Sequence, residues 1–216
     1  MTKKIELVIF DLDGTLVDSK YDLTLAVNFI RQKYGFSDLA PLEVASYLGS
    51  GIKRLVNFVL PNIAESEKKD AFSEFNDFYS NHLVDNTVVY DGVIELLEAL
   101  KDVNKVILSN KTEIYSKIIA EKLGISKYFV KICGGDTFPE KKPSSLPLNS
   151  IIDEFKVKKE HVLMVGDGIN DILCGKSAGI STIAVLYGYS SRQKIESNSP
   201  TFIAKNPAEI LHYLEK

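Results

Sequence analysis

The 216-residue chain has only two cysteines, Cys133 and Cys174, no tryptophan, and three histidines, His82, His161 and His212. The cysteines lie far apart, with no C-x-x-C spacing and no histidine pair beside them, which excludes a disulfide framework and a zinc site; both are expected as reduced core residues. The histidines stand in unrelated contexts and are assigned no catalytic role. Long apolar runs are also missing. The first, residues 5–10, is too short for a signal-peptide core or a membrane span, so a cytoplasmic protein without a membrane partner is expected. Nor is positive charge in excess: 26 Lys and Arg against 29 Asp and Glu leave a net charge of −3. No broad basic run supplies the electrostatic footprint that nucleic acid requires, so no nucleic-acid partner is expected.

What is present is the balance of an ordinary globular protein, 45% hydrophobic and 25% charged. The length suits one core domain carrying an insertion. From Asp91 onward, helical patterns at 93–101, 114–123, 145–155, 170–178 and 207–214 alternate with β-rich runs at 105–108, 129–133, 161–165 and 181–186. That is βαβ rhythm, with residues 5–10 as the first strand. Between that strand and Asp91 the stretches 23–34, 42–48, 52–60 and 65–83 read as helices, punctuated by Gly35, Pro41, Gly49-Ser50-Gly51 and Pro61. The expected division is a core of residues 1–17 and 88–216, and a helical cap of residues 18–87 that could act as a lid.

The run Asp11-Leu12-Asp13-Gly14-Thr15-Leu16 sets two carboxylates where the first strand ends, at the edge of an open parallel sheet where ligands bind. One carboxylate could attack phosphorus while the other passes a proton to the leaving oxygen. An EF-hand is a poor fit, because glycine falls fourth rather than sixth. An ordinary Asp-Gly turn is the bland alternative, and partners elsewhere in the chain decide between them. Leu108-Ser109-Asn110-Lys111 follows the second core strand, where Ser109 and nearby N–H groups could hold phosphate oxygens, or Ser109 could simply cap a helix. Lys142-Pro143 follows the third and could neutralise nucleophile and phosphoryl group. Gly166-Asp167-Gly168-Ile169-Asn170-Asp171 follows the fourth. Mg²⁺ prefers hard oxygen ligands, so Asp167 beside Asp11 and the carbonyl of Asp13 would suit it. Asp171 could bind through water, orient Lys142, or be an acid favoured at a helix start.

Taken together, these residues resemble the four motifs of the haloacid dehalogenase-like phosphatase superfamily, in order: Asp11 to Leu16, Ser109, Lys142, and Gly166-Asp167 with Asp171. Within it, the chain most resembles the phosphoglycolate phosphatase subgroup, through Leu48-Gly49-Ser50-Gly51, Tyr90-Asp91-Gly92-Val93, Gly134-Gly135-Asp136, Lys141-Lys142-Pro143 and Tyr187-Gly188-Tyr189. It departs in having Asp91 and Ser145 where the subgroup has proline. The resemblance implies an α/β fold with a Rossmann-like sheet of strand order 5-4-1-2-3 and an inserted α-helical cap. It implies Asp11 as nucleophile, Asp13 as general acid and base, Ser109 and Asn110 as phosphate contacts, Lys142 as charge stabiliser, and Asp11, Asp13 and Asp167 as Mg²⁺ ligands.

The expected reaction is Mg²⁺-dependent hydrolysis of a small phosphomonoester, 2-phosphoglycolate first among candidates, through an aspartyl-phosphate. A sugar-phosphate mutase, a pyrophosphatase, a nucleotidase and a non-catalytic binding module stay open beside it. Thr15 is expected to hydrogen-bond near Asp13 or to stabilise the turn. Lys53 or Arg54, after the Gly49-Ser50-Gly51 loop, could meet a substrate carboxylate or be solvated surface. The expected partner is a small phosphorylated metabolite, and the protein a monomer or homodimer.

Overall fold

The computed structural model describes residues 4–214; residues 1–3 and 215–216, which belong to the expected core span, lie outside the described residues. The first strand, β1 (Leu7–Phe10), is buried at every position, as an unbroken apolar run should be when a parallel strand is covered on both faces. The chain then forms β2 (Val17–Asp18), α1 (Lys20–Lys33), α2 (Pro41–Ala45), α3 (Ile52–Val59), α4 (Glu65–Asn81) and β3 (Val88–Val89). After that come α5 (Val93–Ala99), β4 (Asn104–Leu108), α6 (Glu113–Lys122), β5 (Lys131–Cys133), α7 (Leu146–Phe155), β6 (Val162–Gly166), α8 (Ile169–Ala178), β7 (Ser181–Val185), α9 (Arg192–Ser197), β8 (Phe202–Ala204) and α10 (Pro207–Leu214).

Six strands pair in the order β5-β4-β1-β6-β7-β8, all parallel. This α/β sheet keeps the expected order of its first five strands and adds β8 beside β7 as an edge. A strand of only three residues, two of them half-buried, is too short to show periodicity. Alternation along β1 sends Leu7 and Ile9 to one face, packed with Leu148 and Ile151 of α7 and Cys174 of α8. Val8 and Phe10 face the other way, onto a cluster that includes Leu96 of α5, Ile119 of α6 and Ile210 of α10. Register sets Phe10 opposite both Ile107 and Val165, so the chain leaves β1 flanked by the loops after β4 and β6. Both cysteines are free and buried, and burial pushes their thiols up, Cys133 to about 11 and Cys174 to about 12.

The four helices α1–α4 follow the expected stretches, α2 ending sooner, at Ala45. Three of them present an apolar stripe inward: Leu23, Ala26, Val27 and Ile30 on α1, Leu55, Val56 and Val59 on α3, and Ala71, Phe75 and Tyr79 on α4. These residues join the same apolar cluster as Val8 and Phe10. The two linkers that enter and leave these helices, residues 17–19 and 86–90, are not open coil. They pair as an antiparallel ribbon, Val17 with Val89 and Asp18 with Val88. Asp22, fully buried at the start of α1, ties the returning linker down by accepting from the backbone N–H and side-chain amide of Asn86 and from the N–H and hydroxyl of Thr87. Burial works against its charge, yet the bonds from Thr87 and Asn86 hold its carboxyl below the ordinary range. Among the described residues, no helix is long and apolar enough to cross a membrane.

Candidate active site

Beyond Phe10 the chain turns within a few residues: the N–H groups of Thr15, Leu16 and Val17 all donate to the carbonyl of Leu12. Gly14 makes that turn with φ +80°, and a Cβ there would come within 2.4 Å of the Asp167 carboxylate, so both the conformation and the close approach require glycine. Asp11, 7% exposed, is anchored through Oδ1, which accepts from the N–H of Leu12 at 2.7 Å and lies 2.9 Å from Lys142 Nζ. Among the described residues no hydrogen bond reaches its Oδ2. Lys142 is buried and also donates to Asp171 Oδ1 at 2.6 Å; Asp171 in turn accepts the N–H of Gly168 at the start of α8. Asp171 therefore both orients Lys142 and satisfies the helix start. Burial opposes the charge on Lys142, but Asp11 and Asp171 more than offset it and raise its pKa above the ordinary lysine value.

Asp167 is buried too, its Oδ2 accepting the N–H of Tyr189 at 2.7 Å. Carboxylate oxygens of Asp11, Asp167 and Asp171 lie within 4.8 Å of one another. Burial first, then the neighbouring carboxylates, push Asp11 up to about 7 and Asp167 well above the usual range. Three buried carboxylates with one lysine among them, bonded to Asp11 and Asp171 but not to Asp167, form a site short of positive charge, and their all-oxygen donor set fits a hard divalent cation. The Asp13 carboxylate stands outside this cluster, so Asp13 is left only its backbone carbonyl to offer.

Asp13 is held from other directions. Its Oδ1 accepts from the hydroxyl of Ser19 and lies 3.2 Å from Lys111 Nζ, while no hydrogen bond reaches its Oδ2 among the described residues. Ser19 is fixed by its own N–H, which donates to the Tyr189 hydroxyl at 2.8 Å. The Tyr187 hydroxyl donates to the carbonyl of Thr15 at 3.0 Å. The Thr15 side chain itself is a correction: its buried Oγ1 has no hydrogen-bond partner, and the contact expected of it is made by Ser19. Ser19, Lys111 and Tyr189 were missed as site residues. The signal available was position, Ser19 in the linker after the acidic motif and Lys111 next to Asn110.

Ser109, 2% exposed, lines a narrow cleft with Asp11, Asp13, Asn110 and Lys111. Asn110 is differently employed than expected. Both hydrogens of its amide are committed, to the carbonyls of Gly49 and Lys142, so its side-chain N–H groups latch the loop between α2 and α3 rather than facing phosphate. Asn170 donates to the same Gly49 carbonyl at 2.8 Å, and Lys141 to the carbonyl of Ser50 at 2.9 Å. A cavity of about 360 Å³ opens over Asp11, Asp13, Asp167 and Asn170, with Arg54 and Lys194 on its wall. Lys53 lies instead on a neighbouring depression with Asn57 and Lys141. Arg54 lines both hollows, whereas Lys53, about 100° further round the helix, lines only the second.

The chain matches the sequence model of the haloacid dehalogenase-like hydrolases over residues 8–185. A phosphoglycolate phosphatase of Chromobacterium violaceum is 41% identical over 196 residues, 87% of this chain and 88% of the relative. Another, of Aquifex aeolicus, is 36% identical over 218 residues, 98% and 97% of the two chains. Among solved structures, a predicted phosphoglycolate phosphatase of Haemophilus somnus superposes with a TM-score of 0.92 at 30% identity, covering 96% of this chain and 97% of that one.

Proposed function

The chain belongs to the haloacid dehalogenase-like hydrolases and is a phosphoric monoester hydrolase acting on a small phosphorylated substrate; from that premise we propose that it hydrolyses 2-phosphoglycolate with Mg²⁺, through an aspartyl-phosphate on Asp11. The observation that carries this reading is that Asp11 and Asp13 are each anchored through Oδ1 alone, which leaves one oxygen of each for the reaction.

In the first step an Asp11 oxygen forms a bond to phosphorus as the ester P–O bond breaks, and Asp13 gives its proton to the departing alkoxide. In the second, Asp13 takes a proton from water, whose oxygen attacks phosphorus and breaks the bond to Asp11, freeing inorganic phosphate. Lys142 and the Ser109 hydroxyl offset charge on the phosphoryl oxygens. Asp11, Asp167 and the Asp13 carbonyl would hold Mg²⁺, which when bound would supply neutralising charge to the carboxylates and phosphate. Residues 18–87 act as a cap: the Gly49–Gly51 loop closes over the site, and Arg54 meets the substrate carboxylate. A cavity of about 360 Å³ is at the small end of ligand sites and suits a compact substrate.

Phosphate release is measured across 2-phosphoglycolate, sugar phosphates, phosphoserine, nucleotides and pyrophosphate, with Mg²⁺ and with chelator. Metal-dependent release greatest for 2-phosphoglycolate is expected, with Arg54→Ala raising its KM about tenfold and Lys53→Ala leaving it in place. Undiminished release in chelator overturns the metal assignment, and faster turnover of an ester lacking a carboxylate overturns the substrate.

A further inference from the structure

The reaction described above uses one buried lysine, Lys142, and leaves a second, Lys111, without a task. Lys111 is 6% exposed, in the loop after β4. Its Nζ lies 3.2 Å from Asp13 Oδ1 and donates to the hydroxyl of Tyr79, on α4 of the helical insertion. Tyr79 is wholly buried, with its ring 5.6 Å from Phe75 and 5.8 Å, edge-on, from Tyr115, so its hydroxyl is held in place. Burial opposes the charge on Lys111, but Asp13 and Tyr79 more than offset it; burial pushes the Tyr79 phenol up to about 12, which keeps it neutral.

A carboxyl group that must deliver a proton to one particular oxygen needs its rotation fixed. Ser19 and Lys111 both bind Oδ1 of Asp13, and Lys111 can do so from a single position only while its second acceptor, Tyr79, is docked. We infer that Lys111 and Tyr79 are a positioning pair for Asp13, through which the docked insertion sets the orientation of the acid/base carboxylate. Three elements far apart in sequence meet in this line: the loop after β1, the loop after β4, and α4. The pair touches neither phosphorus nor metal; it acts through Asp13. The inference rests on the reading of Asp13 as general acid.

The leaving group tests it. An alkoxide needs a proton to depart, whereas p-nitrophenolate leaves without one, and kcat/KM reports only through the first irreversible step, departure of the alcohol. Values of kcat/KM are measured for 2-phosphoglycolate and p-nitrophenyl phosphate in the native protein, Asp13→Asn, Lys111→Met and Tyr79→Phe, each with a thermal melt. Lys111→Met is expected to lower the alkyl value about 100-fold and the aryl value less than about fivefold, with Tyr79→Phe showing the same split at about tenfold. Equal loss on both esters, as direct phosphate binding by Lys111 would give, or no loss, overturns the inference. If Asp13→Asn shows the split and the other two do not, the positioning pair alone falls. If Asp13→Asn shows none, the acid/base reading falls with it. Should Lys111→Met fail to fold, Tyr79→Phe, which removes a single hydroxyl, decides.

Discussion

Asp11 and Asp13 are neighbours in sequence, yet different parts of the molecule hold them. Asp11 is held by the sheet core: by the N–H of Leu12 and by Lys142, which Asp171 steadies from the first turn of α8. Asp13 is held by Ser19 in the linker to the insertion, by Lys111, and behind them by Tyr189 and by Tyr79 of α4. The core around the parallel sheet therefore suffices to arrange the proposed nucleophile. The proposed acid/base depends on the linkers and the docked insertion, so phosphate attack and proton delivery are under separate structural control.

The largest break in this comparison comes from the core side. Asp11→Asn keeps the shape of the side chain and removes the attacking oxygen, so phosphate release is expected to fall at least about 10⁴-fold with the melting temperature retained. Near-native turnover in that variant removes Asp11 from the role.

A smaller effect sharpens the electrostatic half. In the metal-free protein Asp11 is raised from 3.8 to about 7, so between those values the folded state binds a proton that the unfolded state has lost. Stability from this group is greatest at low pH and declines as pH rises from about 4 to about 7, by up to about 1.4 kcal/mol per unit. Melting in chelator at several pH values is expected to show that decline in the native protein and a shallower one in Asp11→Asn, where Asp167, also raised by burial, still titrates. Added Mg²⁺ should stabilise more at pH 7 than at pH 5.

The smallest effect falls on the insertion side. Asp22→Asn loses charge-assisted bonds to Asn86 and Thr87, and stability is expected to fall by about 1–3 kcal/mol in denaturant titration. The pH slope owed to Asp11 should be unchanged. A changed slope would mean that the two carboxylates are not separately held.

The same division marks what the sequence makes legible. The Asp11 side could be read because each of its residues follows an apolar run long enough to call a strand, and open parallel sheets gather such ends in one crevice. Helices α1, α3 and α4 were legible from their inward stripes. The ribbon of β2 and β3, with two residues a strand, and the edge strand β8 are too short for a period to emerge. Helix α9, six residues of mostly exposed side chains, carries no apolar stripe either. The surroundings of Asp13 were hidden for a different reason. Tyr79 reaches Lys111, and Tyr189 reaches Ser19, only where distant segments pack together, and nothing local in their sequences announces it. The Asn110 amide and Arg54 show a subtler limit: the segments were located, but which donor or which helix face points at the cavity is decided by packing.

The contacts that hold the Gly49–Gly51 loop closed run from Asn110, Asn170 and Lys141 to main-chain carbonyls. Every residue type brings a carbonyl, so the fastening on the insertion's side is indifferent to most side chains placed there. Gly49 and Gly51 are exceptions, because φ values of +90° and +88° strain any residue with a Cβ. Elsewhere on the insertion, if Arg54 meets the substrate as proposed, it can change while this fastening stays, and selectivity can drift over evolutionary time without loosening the core beneath it.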